Sequence, residues 1–357
     1  MSTFATTIHT IKISAHPNAD ALELAHVGAY VSIVKKGQFQ TGDRVAYIQE
    51  QSLLPEALLD ELGLRGRLAG SEGNRVKAVK LRGVLSQGIC YPARPEWEVG
   101  QDVSEILGIT KWEPPIPAHL GGQMLNLGSR HTATYDIENY KGFPDVLVPG
   151  EEIVATEKIH GTCCQVVLLP KGMEVEGKRV FVGTKGMGAK GLVFREEVPN
   201  PNVYIRATEK IRGILEDSPL FVGATEPVIL LGEVFGEGVQ DLHYGVKGVT
   251  FRAFDIVRGF RGGQNFLDDS DLDEALNALG IPRVPVLFRG PFDLEALMPL
   301  IRGRETLSGN AVHIREGIVV RTTKERKDPQ IPALEGRVQL KLVSEDYLLR
   351  KGGTEHN

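Results

Sequence analysis

Lys158 stands in the run Glu157-Lys158-Ile159-His160-Gly161-Thr162, a setting in which a primary amine could act as a nucleophile. An amine attacks only when unprotonated, and an ordinary lysine, with a pKa of about 10.4, is almost fully charged at neutral pH. A nucleophilic lysine must therefore be desolvated or surrounded by other positive charge. Ile153-Val154-Ala155 precedes Lys158, Gly161 follows it, and a second apolar run begins at Cys163. That order predicts a strand, a tight turn and another strand, with Lys158 on a pocket wall. Alone, the hexapeptide describes a solvated lysine in a turn more readily than a nucleophile.

Five later segments fit the same chemistry. Thr184-Lys185-Gly186-Met187-Gly188-Ala189-Lys190-Gly191 reads as a glycine-rich loop with two lysines, suited to close approach of backbone to phosphate or to an ordinary surface hairpin. Leu231-Gly232-Glu233-Val234-Phe235-Gly236 sets a carboxylate inside an apolar strand, which is costly unless it binds something or faces outward. Phe251-Arg252-Ala253-Phe254-Asp255 is an aromatic strand that reads on its own as core. Arg315-Glu316-Gly317-Ile318-Val319-Val320-Arg321 places a carboxylate at the start of a buried strand, and Leu340-Lys341-Leu342-Val343-Ser344 places a lysine within another.

The elements that must hold these residues fall into two regions. Short β-branched segments at 7–13, 27–34, 44–48 and 76–81, separated by turn signals, predict a small barrel. Pro114, Pro115, Pro117 and Gly121-Gly122 mark a boundary. We divide the chain into an OB-like module over 1–115, a connecting segment over 116–149 and a second domain over 150–357. That second domain alternates strands (180–182, 228–234, 250–257, 317–322, 338–343) with helices. Val203, Ala207, Ile211, Ile214 and Leu215 form one apolar stripe over 200–217. Further helices are predicted over 271–279, capped by Ser270 and stopped by Gly280, and over 292–301. The fold class is α+β.

Composition narrows the function classes. Apolar content of 41% and charged content of 24% fit a soluble globular chain, and no apolar run has membrane-spanning length or signal-peptide form. Cys90, Cys163 and Cys164 give neither a disulfide framework nor a zinc pattern, since adjacent cysteines on a strand face opposite ways. A cytoplasmic, reduced setting is expected, with no membrane and no obligate protein partner. The net charge of −5 argues against a general nucleic-acid affinity, so any such role must rest on a local patch. Arg65, Arg67, Arg75, Lys77, Lys80 and Arg82 make one, with only Glu72 among them.

In their order, the six segments resemble the covalent nucleotidyltransferase superfamily of polynucleotide ligases and messenger RNA capping enzymes. The narrower likeness is to ATP-dependent RNA ligases of the Deinococcus radiodurans type, which carry histidine where aspartate is commoner in the Lys-x-Asp-Gly element. It rests on Lys158-Ile159-His160-Gly161-Thr162, on the segment from Gly236 to Gly245 and on the segment from Arg75 to Val84. The resemblance implies an amino-terminal OB-like β-barrel followed by a nucleotidyltransferase (ATP-grasp-like ligase) domain of antiparallel sheets with helices. It implies ATP as substrate, Mg²⁺ or Mn²⁺ as cofactor, and RNA or an RNA-containing nicked duplex as partner.

Residue by residue, the likeness implies that Lys158 attacks the α-phosphate and holds AMP as a phosphoramidate. Glu157, His160 and Gly161 would shape the nucleotide site beside it. Lys185 would lie near phosphate, Glu233 would contact ribose or metal, and Phe251 would stack on adenine. Glu316 is the foremost metal contact and Lys341 neutralises the α-phosphate. Arg75, Lys77, Lys80 and Arg82 would bind RNA, with Tyr30, Phe39 and Tyr47 available for stacking. One departure stands out: the last motif commonly carries two lysines one residue apart, and the first falls here on Gln339, so Arg337 is a candidate substitute.

Two other readings compete. A DNA ligase or capping-type enzyme would share the core motifs but generally carries an OB domain after the last lysine, and here 13 residues (357 − 344) follow Ser344. A noncatalytic RNA- or tRNA-binding OB protein is suggested by His16-Pro17-Asn18-Ala19-Asp20.

Overall fold

The computed structural model describes residues 4–113, 124–196, 200–221 and 223–350. The prolines and glycines chosen as a boundary (Pro114, Pro115, Pro117, Gly121, Gly122) lie outside the described residues. The chain divides into two compact units. Of the described residues, one holds those up to Glu113 together with Tyr140–Pro144, and the other holds those from Met124 to Asn139 and from Asp145 onward. The segment assigned as a connector is thus shared between units. Its strand Met124–Asn126 joins one sheet of the larger unit, and Glu138–Asn139 joins the other.

The amino-terminal unit is built from short strands, as the turn spacing predicted. Thr7–Thr10, Arg44–Ile48 and Ile89–Pro92 form one sheet, while Lys12–Ala15, Leu22–Val27 and Tyr30–Lys35 form another. Arg44–Ile48 is buried on both faces after its first residue, which explains its continuous apolar run. Ala46 and Ile48 pack with Trp97 and Val103, and Val45 and Tyr47 pack with Ile11, Val27 and Phe39.

The larger unit has two sheets. A seven-stranded antiparallel sheet runs in the order Met124–Asn126, Leu192–Phe194, Val180–Thr184, Thr162–Leu168, Val228–Gly236, Val249–Arg258, Asn265–Phe266. A five-stranded sheet runs Glu138–Asn139, Gln339–Val343, Gly317–Thr322, Glu152–Lys158, Val286–Pro291, with only its first pair parallel. The fold is α+β, as expected. Helices cover one face of the larger sheet: Val166, Leu230 and Val234 pack there against Ile205, Ile211, Leu215, Leu272 and Leu276.

The predicted helix over 200–217 is two helices, Val203–Ala207 and Glu209–Asp217, broken at Thr208. Asn202 caps the first through its side-chain oxygen, and Ile214, placed in the apolar stripe, is exposed. Helix Asp269–Leu279 begins two residues earlier than expected, after Asp268 rather than Ser270, and ends as predicted on a left-handed Gly280. Among the described residues no helix is long and apolar enough to cross a membrane.

Candidate active site

The predicted strand, turn and strand around Lys158 joins the two sheets. Lys158 is the last residue of Glu152–Lys158 in the five-stranded sheet, and Thr162 opens the central strand of the other. Gly161 is required by close approach, because a Cβ there would lie 2.4 Å from the Val234 carbonyl oxygen. Lys158 Nζ donates to Glu316 Oε1 at 2.6 Å, and its side chain keeps 25% of its surface open.

The electrostatics of this amine differ from the expectation. Burial lowers its pKa, but the Glu316 and Glu233 carboxylates outweigh burial and hold it above the ordinary lysine value. In this state Lys158 is a paired ammonium, not a free amine. Attack therefore requires that something else take up the carboxylate charge.

Glu233 supplies a second carboxylate. Along Val228–Gly236, Val228, Leu230 and Val234 face the helix-covered core, while Ile229, Leu231, Glu233 and Phe235 face the other way. Burial and the neighbouring Glu316 push Glu233 up to about 8, against the pull of Lys158. Glu316 Oε2 is buried and has no hydrogen-bond partner. Two carboxylates, one with an orphaned oxygen, suit a hard divalent ion that completes its shell with water or phosphate oxygens. Among the described residues no group of three or more His, Cys, Asp or Glu could hold an ion alone.

Lys341 and Lys185 bring positive charge to the same place. Lys341 lies mid-strand in Gln339–Val343, and burial, with help from Lys158, holds its pKa below the lysine value. Lys185 Nζ lies 3.0 Å from Asp136 Oδ1. The glycine-rich segment is not an open phosphate-cradling loop: Lys185–Ala189 is a short helix capped by the Thr184 side chain. Its Gly188 is needed for packing, since a Cβ there would meet the Gln165 side chain at 1.6 Å and the Ala133 carbonyl oxygen at 2.9 Å.

Glu157 does not share the Lys158 pocket. Strand alternation turns it to the opposite face, where Oε2 accepts from Thr306 N at 2.8 Å and Thr306 Oγ1 at 2.6 Å, with Arg315 beside it. It anchors the 305–308 loop. His160 is buried, with Nε2 2.8 Å from Asp241 Oδ1 and Nδ1 2.7 Å from the Tyr347 hydroxyl. Burial holds its pKa below the histidine range.

Two further assignments need correction. Phe251 is 2% exposed and belongs to the helix-covered core, on the face away from Glu233. Phe254 is the aromatic on the Glu233 side: it packs with Leu231 and Tyr135 and with Ile159 and Tyr244, and its ring lies 4.9 Å from that of Tyr135. Phe251 pairs with Val234 and Arg252 with Glu233, so alternation carries Phe254 to the Glu233 face, a pairing the sequence alone does not reveal. Arg337 cannot replace the missing lysine. It is buried, bonded to both Asp255 oxygens at 2.7 and 2.9 Å and to Glu325, so its charge is already matched. Gln339 is buried beside it, donating to the Tyr135 hydroxyl at 2.8 Å.

In the amino-terminal unit the proposed patch is only partly a patch. Arg75 lies over the Trp112 ring at 4.0 Å and serves packing, and Arg65 pairs with Asp60 at 2.5 Å. Phe39 and Tyr47 fill the barrel core, so they are not free to stack on bases. Tyr30 is half-buried against Tyr47. Lys80 and Arg82 are exposed on the hairpin formed by Val79–Leu81 and Val84–Ser86, and Lys77 precedes it. His16 and Asn18, from the segment likened to tRNA-binding modules, hold the hairpin tip through the carbonyls of Leu81 and Arg82.

Comparison with known proteins bears on the family and the fold. The RNA ligase family model matches residues 151–343, more than half of the chain. This chain belongs to the RNA ligase family. An OB-fold domain model matches residues 5–93 of the ligase. Among solved structures it is similar to Naegleria gruberi RNA ligase. A ligand-free variant matches at 26% identity and a TM-score of 0.75, covering 96% of each chain. A variant with ATP and manganese matches at 25% identity and a TM-score of 0.72, covering 96% of this ligase and 97% of that one. A variant with AMP and manganese matches at 26% identity and a TM-score of 0.74, with the same coverage. No curated protein sequence matches.

Proposed function

We propose that this RNA ligase is of the Deinococcus radiodurans type and joins a 3′-hydroxyl to a 5′-phosphate through an AMP bound covalently to Lys158, at nicks with RNA on the 3′-hydroxyl side. ATP as substrate and a divalent ion as cofactor fit its membership of the family and its likeness to a Naegleria ligase that holds ATP and manganese. The observation that carries the reading is the amine of Lys158 at the mouth between two sheets, flanked by Glu316, Glu233, Lys341 and Lys185.

In the first step the Lys158 nitrogen lone pair attacks the α-phosphorus. An N–P bond forms, the bond to the β-phosphate oxygen breaks, and pyrophosphate leaves, while the amine gives up a proton. In the second, a 5′-phosphate oxygen displaces the lysine and takes AMP. In the third, the 3′-hydroxyl oxygen attacks the adenylated phosphate and AMP departs. Such transfers need in-line placement and charge neutralisation above all.

Glu316 and Glu233 would hold the divalent ion. That ion, when bound, neutralises phosphate charge and offsets the carboxylates that keep Lys158 protonated. Lys341 and Lys185 face the phosphates as fixed positive charge. Phe254, rather than Phe251, is our candidate for contact with the base, because it lies on the Glu233 side beside Tyr135. Phe254→Ala is expected to raise KM for ATP about tenfold, in line with the ~1–3 kcal/mol that base stacking contributes. Phe251→Ala should instead lower thermal stability, and a selective KM effect from Phe251 would reverse the assignment.

Lys158→Ala is the direct test: no protein-bound label should appear with ATP radioactive in its α-phosphate. Full retention of label on that variant refutes the nucleophile. For RNA, Lys80→Glu with Arg82→Glu should weaken nick binding and flatten its salt dependence by about one to two units of slope. Self-adenylation should be unchanged, and an equal fall in both activities would assign the hairpin a purely structural part.

A further inference from the structure

A single segment touches the nucleophile's surroundings at four places. Strand Gln339–Val343 bears Lys341, and Ser344 then donates its backbone N–H to the Glu316 carbonyl at 2.8 Å. The short helix Glu345–Leu348 follows, and its Tyr347 hydroxyl reaches His160 Nδ1 at 2.7 Å. Two residues past the helix, Arg350 donates Nε to Asp241 Oδ2 at 3.0 Å and Nη2 to Oδ1 at 3.2 Å. Its guanidinium lies over the Tyr347 ring at 3.8 Å.

His160 is the point on which these contacts converge. Its Nε2 lies 2.8 Å from Asp241 Oδ1, which only accepts, and 3.3 Å from Arg350 Nη2, which only donates. The shorter carboxylate contact puts the proton on Nε2 and leaves Nδ1 to accept from Tyr347. The backbone N–H of His160 donates to the Tyr244 hydroxyl at 2.7 Å. The residue is held at both ring nitrogens and at its main chain, with 3% of its side chain exposed. Lys158 lies two residues before it, on the same turn. Nothing in the sequence pattern of residues 345–350 announces this role.

The reaction makes such bracing matter. A lysine amine rides on a flexible four-carbon stem, and in-line attack needs the reacting atoms about 3–3.5 Å apart, so that a displacement of ~1 Å costs about a hundredfold. Lys158 takes part in forming and breaking its bond to AMP. It takes no part when a 3′-hydroxyl attacks a strand that already carries AMP.

We propose that Tyr347, Arg350 and Asp241 are positioning residues for the adenylation step, acting through His160 to hold the turn that aims the Lys158 amine. The proposal rests on Lys158 being the nucleophile. Tyr347→Phe, which removes one oxygen and keeps the packed ring, and Arg350→Met should each slow single-turnover self-adenylation at saturating ATP by about tenfold to a hundredfold. KM for ATP should change little. Sealing of a strand supplied with AMP already on its 5′-phosphate should stay at the wild-type rate. Arg350→Lys should recover only part of the loss, since an ammonium cannot make both carboxylate contacts in a fixed plane.

A parallel fall in both steps with unchanged thermal melting, or no fall in either, overturns the proposal. Tyr347→Phe decides the case if Arg350→Met proves unstable. Failure of the wild-type ligase to acquire any adduct would overturn the Lys158 reading, and the bracing with it. Loss confined to the variants' adenylation leaves both standing.

Discussion

Glu316→Gln should lose at least about a hundredfold in self-adenylation, with pre-formed adduct seldom detectable. The substitution keeps the side chain's shape and an amide oxygen that can still accept from Lys158, which lies 2.6 Å away, and replaces the charged second oxygen with a neutral NH2 donor. Two effects then oppose each other. Without the neighbouring carboxylate, the Lys158 amine loses the largest influence that keeps its pKa high, which favours the nucleophile. A full unit of pKa is worth tenfold in neutral amine, about 1.4 kcal/mol. Loss of one of two carboxylates for the divalent ion removes several kcal/mol of charge stabilisation from the phosphoryl transfer. The second effect is larger, so the rate should fall. A Glu316→Gln ligase that adenylates faster than wild type would show that Glu316 mainly restrains the amine.

Arg337→Met should destabilise the larger unit by about 3–5 kcal/mol, measured as a shift in its urea unfolding transition. Asp255 has no exposed surface, and Arg337 supplies two of its contacts. Removing the cation strands a buried carboxylate, which costs far more than the pair contributes relative to apolar residues. Burial alone would raise Asp255, but Arg337 and Arg321 hold its pKa below the usual aspartate value. Its contribution is therefore present above the unfolded aspartate pKa of about 3.9 and is lost as pH falls through the lower folded value. The penalty of the variant should shrink correspondingly in acid. Asp255→Asn added to Arg337→Met should recover part of the loss. A penalty under about 1 kcal/mol would mean the unit relaxes to admit water at this pair.

Much of the site was legible because its chemistry is carried by charges within apolar strands. Glu233 and Lys341 each interrupt a run that would otherwise be core, Lys158 and Glu316 stand at the ends of others, and the structure brings all four together with Lys185. Strand positions were readable to within a few residues for the same reason: Gly317–Thr322 and Arg44–Ile48 are as their patterns predict. What failed depended on information outside the local pattern. Phe251 and Phe254 are equally aromatic and alternate to opposite faces, and only the pairing of Phe251 with Val234 and of Arg252 with Glu233 decides which of them lies on the Glu233 side. Glu157 differs from its neighbour Lys158 only by the alternation of a strand, and it went to Thr306.

Glycines misled in the same way. Those around Lys185 suggest a loop, whereas Gly188 permits contact with Gln165 inside a capped helix. Arg337 looked like a free cation because Asp255, Glu325 and Tyr135 come from distant parts of the chain. Asp136, Tyr347 and Arg350 were not singled out, and Asp241 entered only as part of the segment from Gly236 to Gly245. Their roles arise from long-range pairing, and an exposed-looking Asp or Arg near a turn gives no periodic signal.

The decisive measurement is site-resolved mass spectrometry of the wild-type ligase after incubation with ATP and a divalent ion. The account predicts a mass increment of one AMP, labile in acid as a phosphoramidate, on the peptide bearing Lys158 and nowhere else. An increment on another residue, or intact RNA sealing with no covalent nucleotide at any stage, would contradict it.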